Sequence, residues 1–317
     1  MFFKDLSTDK MKYFLHTNSQ KRRERMKHFA LIGCPVTQTI SPFIYERLFS
    51  LSKIKADYVA LNVEKNDLKN CYNYIKKLDG YNVTLPYKME IVKFLDKLDN
   101  FAKMCGVVNT VQNINKISVG FNTDGNGFLS TMTNNHVEFS EYAVIFGAGG
   151  AACAIAHICA NCCKKITLLV RKTSLARAKN ILKSILARKT YCKIVDVVLL
   201  EDLHKNADNK LGIKLDKNID IFINATPLGM FPNNDFMPIG DNILKNCKVV
   251  FDTVYNPYET ILLKKAKNCG ATALSGLEML VWQAVFAHKI WTGCSFKNEE
   301  IFELIEDSKI ELKRKFG

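Results

Sequence analysis

The sequence predicts a two-domain α/β protein whose second domain is a doubly wound parallel sheet. Three observations lead there. The chain has 317 residues, 48% of them hydrophobic, and single cores stop growing at about 250–300 residues. Short β-rich runs alternate with helical stretches along most of its length, the order that produces parallel sheets covered by helices. A glycine-rich turn, Gly147-Ala148-Gly149-Gly150-Ala151-Ala152, sits between one such run and the helix after it.

Taken in order, residues 1–26 read as a leader, either disordered or lying ahead of a start at Met26. The opening MFFKDLSTDKMKYFLH is broken by Lys4, Asp5, Asp9, Lys10 and Lys12, so it lacks the apolar centre of a signal peptide. The first domain is assigned to residues 27–132. HFALIGC is its first strand, and Ser41-Pro42 predicts a helix with serine as N-cap and proline at the first helical position. ADYVALNV is the next strand, Asp67–Lys77 a helix, and YNVTLPY a third strand, an order that implies a parallel sheet. VVNTVQNI and KISVGFNT, separated by Asn115, are placed to pair as a hairpin.

The polar stretch Thr133–His136 reads as a linker to a second domain at 137–275. There YAVIFG, KITLLV, KIVDVVLL, IDIFINAT and KVVFDTVY alternate with helices, the make-up of a doubly wound dinucleotide-binding sheet. Residues 276–317 return to helix in LEMLVWQAVFAHKIW and NEEIFELIEDSKIELKRK, and these helices are expected to cross back to the first domain.

Composition excludes several classes of function. No apolar run approaches the ~20 residues that span a bilayer, and a soluble, cytoplasmic protein without a membrane partner is expected. Eleven cysteines is an odd number, and they are scattered through apolar stretches, which favours reduced thiols over a disulfide framework. Cys159 and Cys162 form a short pair with no second pair at ligand spacing, so no metal is expected. The net charge of +14 has its one dense terminal block at Lys21–Arg25. Elsewhere the lysines are dispersed, the pattern of a solvated surface that concentrates small anionic ligands, and no nucleic-acid partner is expected.

The glycine turn carries the sharpest chemistry. Small residues let the backbone approach a pyrophosphate, whose charge rests on the amides at the helix start. About 20 residues on, where NAD sites place a carboxylate for the ribose hydroxyls, the chain reads Val170-Arg171-Lys172-Thr173. Cations there suit a 2′-phosphate, and the Arg171 plane can lie against adenine. In the first domain, Thr39 and Ser41 offer hydroxyls beside a helix N-terminus, a cradle for a carboxylate. Lys88 follows a strand at the end where α/β proteins bind ligands, although most lysines are simply solvated. Asp124 in Asn122-Thr123-Asp124-Gly125 also fits an ordinary turn. Spacing alone does not pair the two.

Together these residues resemble the shikimate dehydrogenase family, in blocks that recur in order from about Phe29 to Gly293. They are Gly33-Cys34-Pro35 with Thr39-Ile40-Ser41-Pro42, Asn82-Val83-Thr84-Leu85-Pro86-Tyr87-Lys88, Gly106-Val107-Val108-Asn109-Thr110, and Asn122-Thr123-Asp124-Gly125. After the glycine turn come Asn224-Ala225-Thr226-Pro227-Leu228-Gly229-Met230, Asp252-Thr253-Val254-Tyr255-Asn256-Pro257, and Gly276-Leu277-Glu278-Met279-Leu280 with Gln283.

The resemblance implies an N-terminal substrate domain, a Rossmann-type cofactor domain, and NADP-dependent reduction of 3-dehydroshikimate to shikimate. It assigns Lys88 and Asp124 as the catalytic pair. Thr39, Ser41, Thr84, Asn109, Asp124, Tyr255 and Gln283 line the substrate. Gly147, Ala148, Gly149, Gly150, Ala151, Arg171, Lys172, Arg177, Thr226 and Gly276 line the cofactor. The family's usual serine is Thr39 here. The stretch after Val170 lacks the family's Asn-Arg-Thr, and its last arginine, Arg177, is displaced by one residue, which leaves NAD as a secondary cofactor. Residues 178–202 and Gly120–Gly125 resemble the quinate/shikimate branch more closely, so quinate is a rival substrate. A non-catalytic nucleotide-sensing regulator is a third reading, against which the presence of both Lys88 and Asp124 speaks. Either a monomer or a homodimer is compatible with the sequence.

Overall fold

A computed structural model describes residues 25–64, 66–205, 215 and 218–316. The expected leader lies outside the described residues except for Arg25 and Met26, and so does all of the Lys21–Arg25 block but its last arginine. The chain forms two compact units. One holds the described residues up to Thr123 together with Ala284–Leu304; the other holds Asp124–Gln283 and the described residues from Ile305 onward.

The first unit contains β1 (Lys27–Gly33), α1 (Ser41–Ser52), β2 (Ala56–Asn62), α2 (Leu68–Ile75), β3 (Gly80–Val83), β4 (Lys97–Leu98), α3 (Asn100–Cys105), β5 (Thr110–Ile114) and β6 (Ile117–Phe121). Its sheet runs β2-β1-β3-β5-β6-β4. The expected parallel arrangement holds for β2, β1 and β3, but β5 and β6 join as an antiparallel pair, so the sheet is mixed. Asn115 and Lys116 make the turn with φ of 51° and 68°, the left-handed pair that a two-residue type I′ hairpin needs. That reversal has a positional effect. Asn109, before β5, and Asn122-Thr123, after β6, come to the same edge of the sheet as the residues following β1 and β3.

The start of α1 differs from the expected cap. Ser41 is the first helical residue, not the cap, and no side chain caps Ile40 before it. The reason is local: Thr39 Oγ1 accepts the Ser41 backbone N–H at 3.1 Å and donates to Ser41 Oγ at 3.0 Å. The threonine thus satisfies an amide two residues ahead, as Ser/Thr turns do.

The helices α10 (Leu277–Thr292) and α11 (Asn298–Phe316) each span the division between the units. Within the first unit, Trp291 of α10 stacks on Phe29 at 4.5 Å, and its Nε1 donates to the Val111 carbonyl at 2.9 Å. Gln112 Nε2 donates to the Ile290 carbonyl at 2.6 Å. Gly80 makes room for this contact, because a Cβ there would stand 2.5 Å from Trp291 Nε1. The last turns of α10, at Ile290 and Trp291, therefore pack on the sheet of the first unit.

The second unit contains α4 (Asp124–Asn134), β7 (Tyr142–Phe146), α5 (Gly150–Cys162), β8 (Lys165–Val170), α6 (Leu175–Leu186), β9 (Ile194–Leu199), α7 (Leu200–Lys205), β10 (Ile219–Asn224), α8 (Asp241–Leu244), β11 (Cys247–Asp252), α9 (Ile261–Asn268) and β12 (Thr272–Ser275). All five pairings are parallel, and the order is β12-β11-β10-β7-β8-β9. Counted from β7 this is the 3-2-1-4-5-6 order of a dinucleotide-binding sheet. Its inner strands are buried on both faces, as in the all-buried runs YAVIF and IDIFIN, because helices cover each side of a parallel sheet. Among the described residues, no helix is long and apolar enough to cross a membrane.

Candidate functional site

In the first unit, Thr39, Ser41, Thr84, Lys88 and Asn109 all emerge at one edge of the sheet. Register sets this: Ile32 lies beside Val83, the Thr84 amide donates to Ile32 at 2.9 Å, and the Val83 amide donates to Asn109 at 2.8 Å. Thr39 and Ser41 are buried with linked hydroxyls. Ser41 Oγ, having accepted from Thr39, keeps its own O–H to donate. Lys88 is half-buried in the turn after β3, where its carbonyl accepts the Val108 N–H at 2.8 Å.

Beneath these residues lies a polar network that sequence reasoning did not single out. Asn82, 4% exposed, accepts from Tyr58 Oη at 2.7 Å and donates to the Asn109 carbonyl at 3.1 Å and Thr110 Oγ1 at 3.0 Å. Asn109 is gripped in turn by Thr123, whose backbone N–H reaches Asn109 Oδ1 at 2.8 Å while Asn109 Nδ2 donates to Thr123 Oγ1 at 3.0 Å. A buried network whose members are satisfied is rigid, so the Asn109 amide is fixed in orientation. The signal was an asparagine in the middle of an apolar strand, a residue that burial tolerates only with partners.

In the second unit, the C-terminal edge of the parallel sheet collects Gly147–Ala151 after β7, Arg171 and Lys172 after β8, Thr226 after β10, Tyr255 after β11 and Gly276 after β12. Asp124 begins α4 and is buried; Gln283 lies in α10 and is half-buried. Gly147 has φ +119°, and a Cβ on it would stand 2.8 Å from Thr226 Cγ2 and 3.1 Å from the Ala225 carbonyl oxygen. Only glycine fits both the dihedral and the space. Gly149 differs: among the described residues nothing lies within 4 Å of its missing Cβ. It precedes α5, whose first amides have no acceptor inside the helix. Open space beside amides without an acceptor inside the helix is what a pyrophosphate requires. Gly276 is structural as well, since a Cβ there would collide with the Thr253 carbonyl.

Thr226 is held by Asn224, whose Oδ1 accepts the Thr226 hydroxyl at 2.7 Å. Asn224 Nδ2 donates to Asp252 Oδ1 at 2.9 Å. Asp252 also accepts the Val254 N–H at 3.0 Å and the Thr260 hydroxyl at 2.7 Å. Burial pushes its carboxyl up to about 7, against the pull of these three donors. Arg171, Lys172 and Arg177 are exposed, and Arg177 Nη2 donates to Ser174 Oγ at 3.1 Å.

The raised Asp252 group makes stability depend on pH. The folded state holds this proton from 3.8 up to about 7, so the stabilisation is full below 3.8 and lost as pH rises through 7. The whole span is worth roughly 4 kcal/mol. Asp252→Asn mimics the protonated form, with its amide donating to Thr260 Oγ1. The expected result is that Tm of the variant gains on the parent as pH goes from 4 to 8, read by calorimetry at each pH; parallel profiles would show that Asp252 titrates normally.

A model of the shikimate dehydrogenase substrate binding domain matches residues 31–111. An NADP(+) shikimate dehydrogenase of Methanocaldococcus jannaschii is 37% identical over 273 residues, covering 85% of this chain and 92% of that protein. One from Methanococcus aeolicus is 36% identical over 273 residues, covering 85% and 93%. Among solved structures, a shikimate dehydrogenase in complex with NADP+ superposes with a TM-score of 0.74 at 35% identity, over 89% of this chain and 96% of that one. A chorismate mutase/shikimate 5-dehydrogenase fusion protein from Clostridium acetobutylicum gives 0.77 at 29% identity, over 91% and 99%. With the two sheets, the glycine turn and these relatives in agreement, the chain belongs to the shikimate dehydrogenase family.

Proposed function

We propose that this chain is an NADP-dependent shikimate dehydrogenase, interconverting 3-dehydroshikimate and shikimate, with Lys88 and Asp124 as its catalytic pair. The observation that carries the reading is the open glycine at the head of α5, set in a dinucleotide-type sheet of a chain whose relatives are named NADP(+) shikimate dehydrogenases. When bound, the nicotinamide supplies the hydride. The protein's share is to bind, orient and protonate. Ser41, with Thr39 locked to it, and the fixed Asn109 offer donors and acceptors to a carboxylate and hydroxyls. Reduction of the 3-carbonyl leaves an alkoxide, and Lys88 is the group assigned to stabilise and protonate it. Asp124 accepts a hydrogen bond from a substrate hydroxyl and orients the ammonium. Tyr255, Gln283 and Thr84 complete the substrate contacts. Gly147–Ala151 would cradle the pyrophosphate, Arg171, Lys172 and Arg177 would meet the 2′-phosphate, and Thr226 and Gly276 would complete the cofactor contacts. Residues 27–132 would form the substrate domain and 137–275 the cofactor domain, with 276–317 returning to the first.

The test is oxidation of shikimate and of quinate, each with NADP+ and with NAD+, followed by absorbance of the reduced cofactor. Fast turnover of shikimate with NADP+ is expected. Equal rates with quinate would move the chain to the quinate/shikimate branch, and inactivity in every combination would leave the regulator reading standing. Sedimentation on the same sample separates monomer from homodimer.

A further inference from the structure

The adenosine end of the cofactor edge contains a carboxylate that the reading above does not use. Strands β8 and β9 are parallel neighbours with Val170 beside Leu199, so the second residues beyond them, Lys172 and Glu201, emerge side by side. Glu201 Oε1 accepts the Lys172 backbone N–H at 3.1 Å. Its own backbone amide and that of Lys172 hold the carboxyl below its ordinary range, with the Arg171 and Lys172 charges adding to the effect. An anion is thus already seated among the groups that a 2′-phosphate would need.

We propose that Glu201 sets the discrimination between phosphorylated and unphosphorylated dinucleotide, because its carboxylate competes with a 2′-phosphate for the Lys172 amide and the Arg171 and Lys172 charges. A ribose 2′-hydroxyl can instead donate to that carboxylate, as it does to the acidic residue of NAD sites. Glu201 therefore narrows the preference that the cations create. From residue 171 to 195 the chain carries Arg171, Lys172, Arg177, Lys179, Lys183, Arg188, Lys189 and Lys193 and no acid. Such a segment would otherwise favour the more anionic ligand strongly. The inference rests on Arg171 and Lys172 being the adenosine-ribose end of a dinucleotide site.

Glu201→Gln isolates the charge, since glutamine keeps an acceptor for the Lys172 amide and the side chain is exposed. The experiment is calorimetric titration of the full chain and the variant with NADP+, NAD+ and 2′,5′-ADP, without substrate. NADP+ and 2′,5′-ADP are expected to bind the variant about 5–10-fold tighter in low salt, with most of the gain lost at high ionic strength. NAD+ binding is expected to stay the same or weaken. Equal effects on both dinucleotides, no effect, or weaker NADP+ binding would overturn the role of Glu201 while the dinucleotide site stands. If the parent chain bound neither dinucleotide nor 2′,5′-ADP, the site itself would fall, and this inference with it.

Discussion

Lys88→Ala lowers kcat for shikimate oxidation by about 10²–10⁴, the range for loss of a general acid–base group. KM is expected to stay within about threefold, because the ammonium acts chiefly on charge that develops at the reacting oxygen. The structure offers a reason to expect a folded variant. The part of Lys88 that holds the fold is its carbonyl, which accepts the Val108 N–H at 2.8 Å, and alanine keeps that bond. Steady-state kinetics with both substrates saturating, beside a melting curve, separate the outcomes. Turnover near that of the parent would remove Lys88 from the chemistry. A lowered kcat with a lowered Tm would place the lysine in the scaffold instead.

A second large effect is expected from the two glycines of the turn after β7, which look alike in sequence and differ in surroundings. At Gly149 a side chain meets open space, so Gly149→Val costs the fold about 1 kcal/mol or less, the loss of a good N-cap residue. Its methyls would occupy the open space beside the α5 amides, and dinucleotide affinity is expected to fall at least about 100-fold, the scale of a few kcal/mol of lost anion contacts. At Gly147 the order is reversed. Alanine there must adopt φ +119° and press on Thr226 and Ala225, which is expected to cost roughly 2–4 kcal/mol of stability. Urea melts and NADP+ titrations of both variants decide the matter. A Gly149→Val protein that binds NADP+ normally would show that the pyrophosphate does not use this turn.

The extent to which this was legible in sequence follows from how local each determinant is. The glycine turn was legible because strand, turn and helix start are consecutive residues whose chemistry needs no distant partner. The hairpin at Asn115 was legible for the same reason, although Lys116 gave no sign of its own left-handed dihedral. Its consequence for the sheet was not: that β5 enters beside β3, making the sheet mixed, depends on pairings between Asn82 and Thr110, 28 residues apart. The cap of α1 was misplaced because a serine before a proline is the commoner signal, and the hydroxyl of Thr39 won the amide. Asp252 and Asn224 are joined across 28 residues, and Glu201 and Lys172 across 29. Both depend on strand register, which periodicity cannot supply. Lys88 and Asp124 were singled out through family resemblance, since neither spacing nor composition distinguishes them from ordinary surface and turn residues.

The reversal at Asn115-Lys116 also divides the labour of the first sheet lengthwise. Chain entering at Asn109 and leaving at Thr123 does so at the edge that gathers Thr39, Ser41, Thr84 and Lys88, while the tip of the hairpin sits at the opposite end with Ile114 and Ile117 exposed. Sequence change at that tip can therefore accumulate away from that group of residues. It is the natural port for an inserted loop, an affinity tag or a spectroscopic label in a working enzyme.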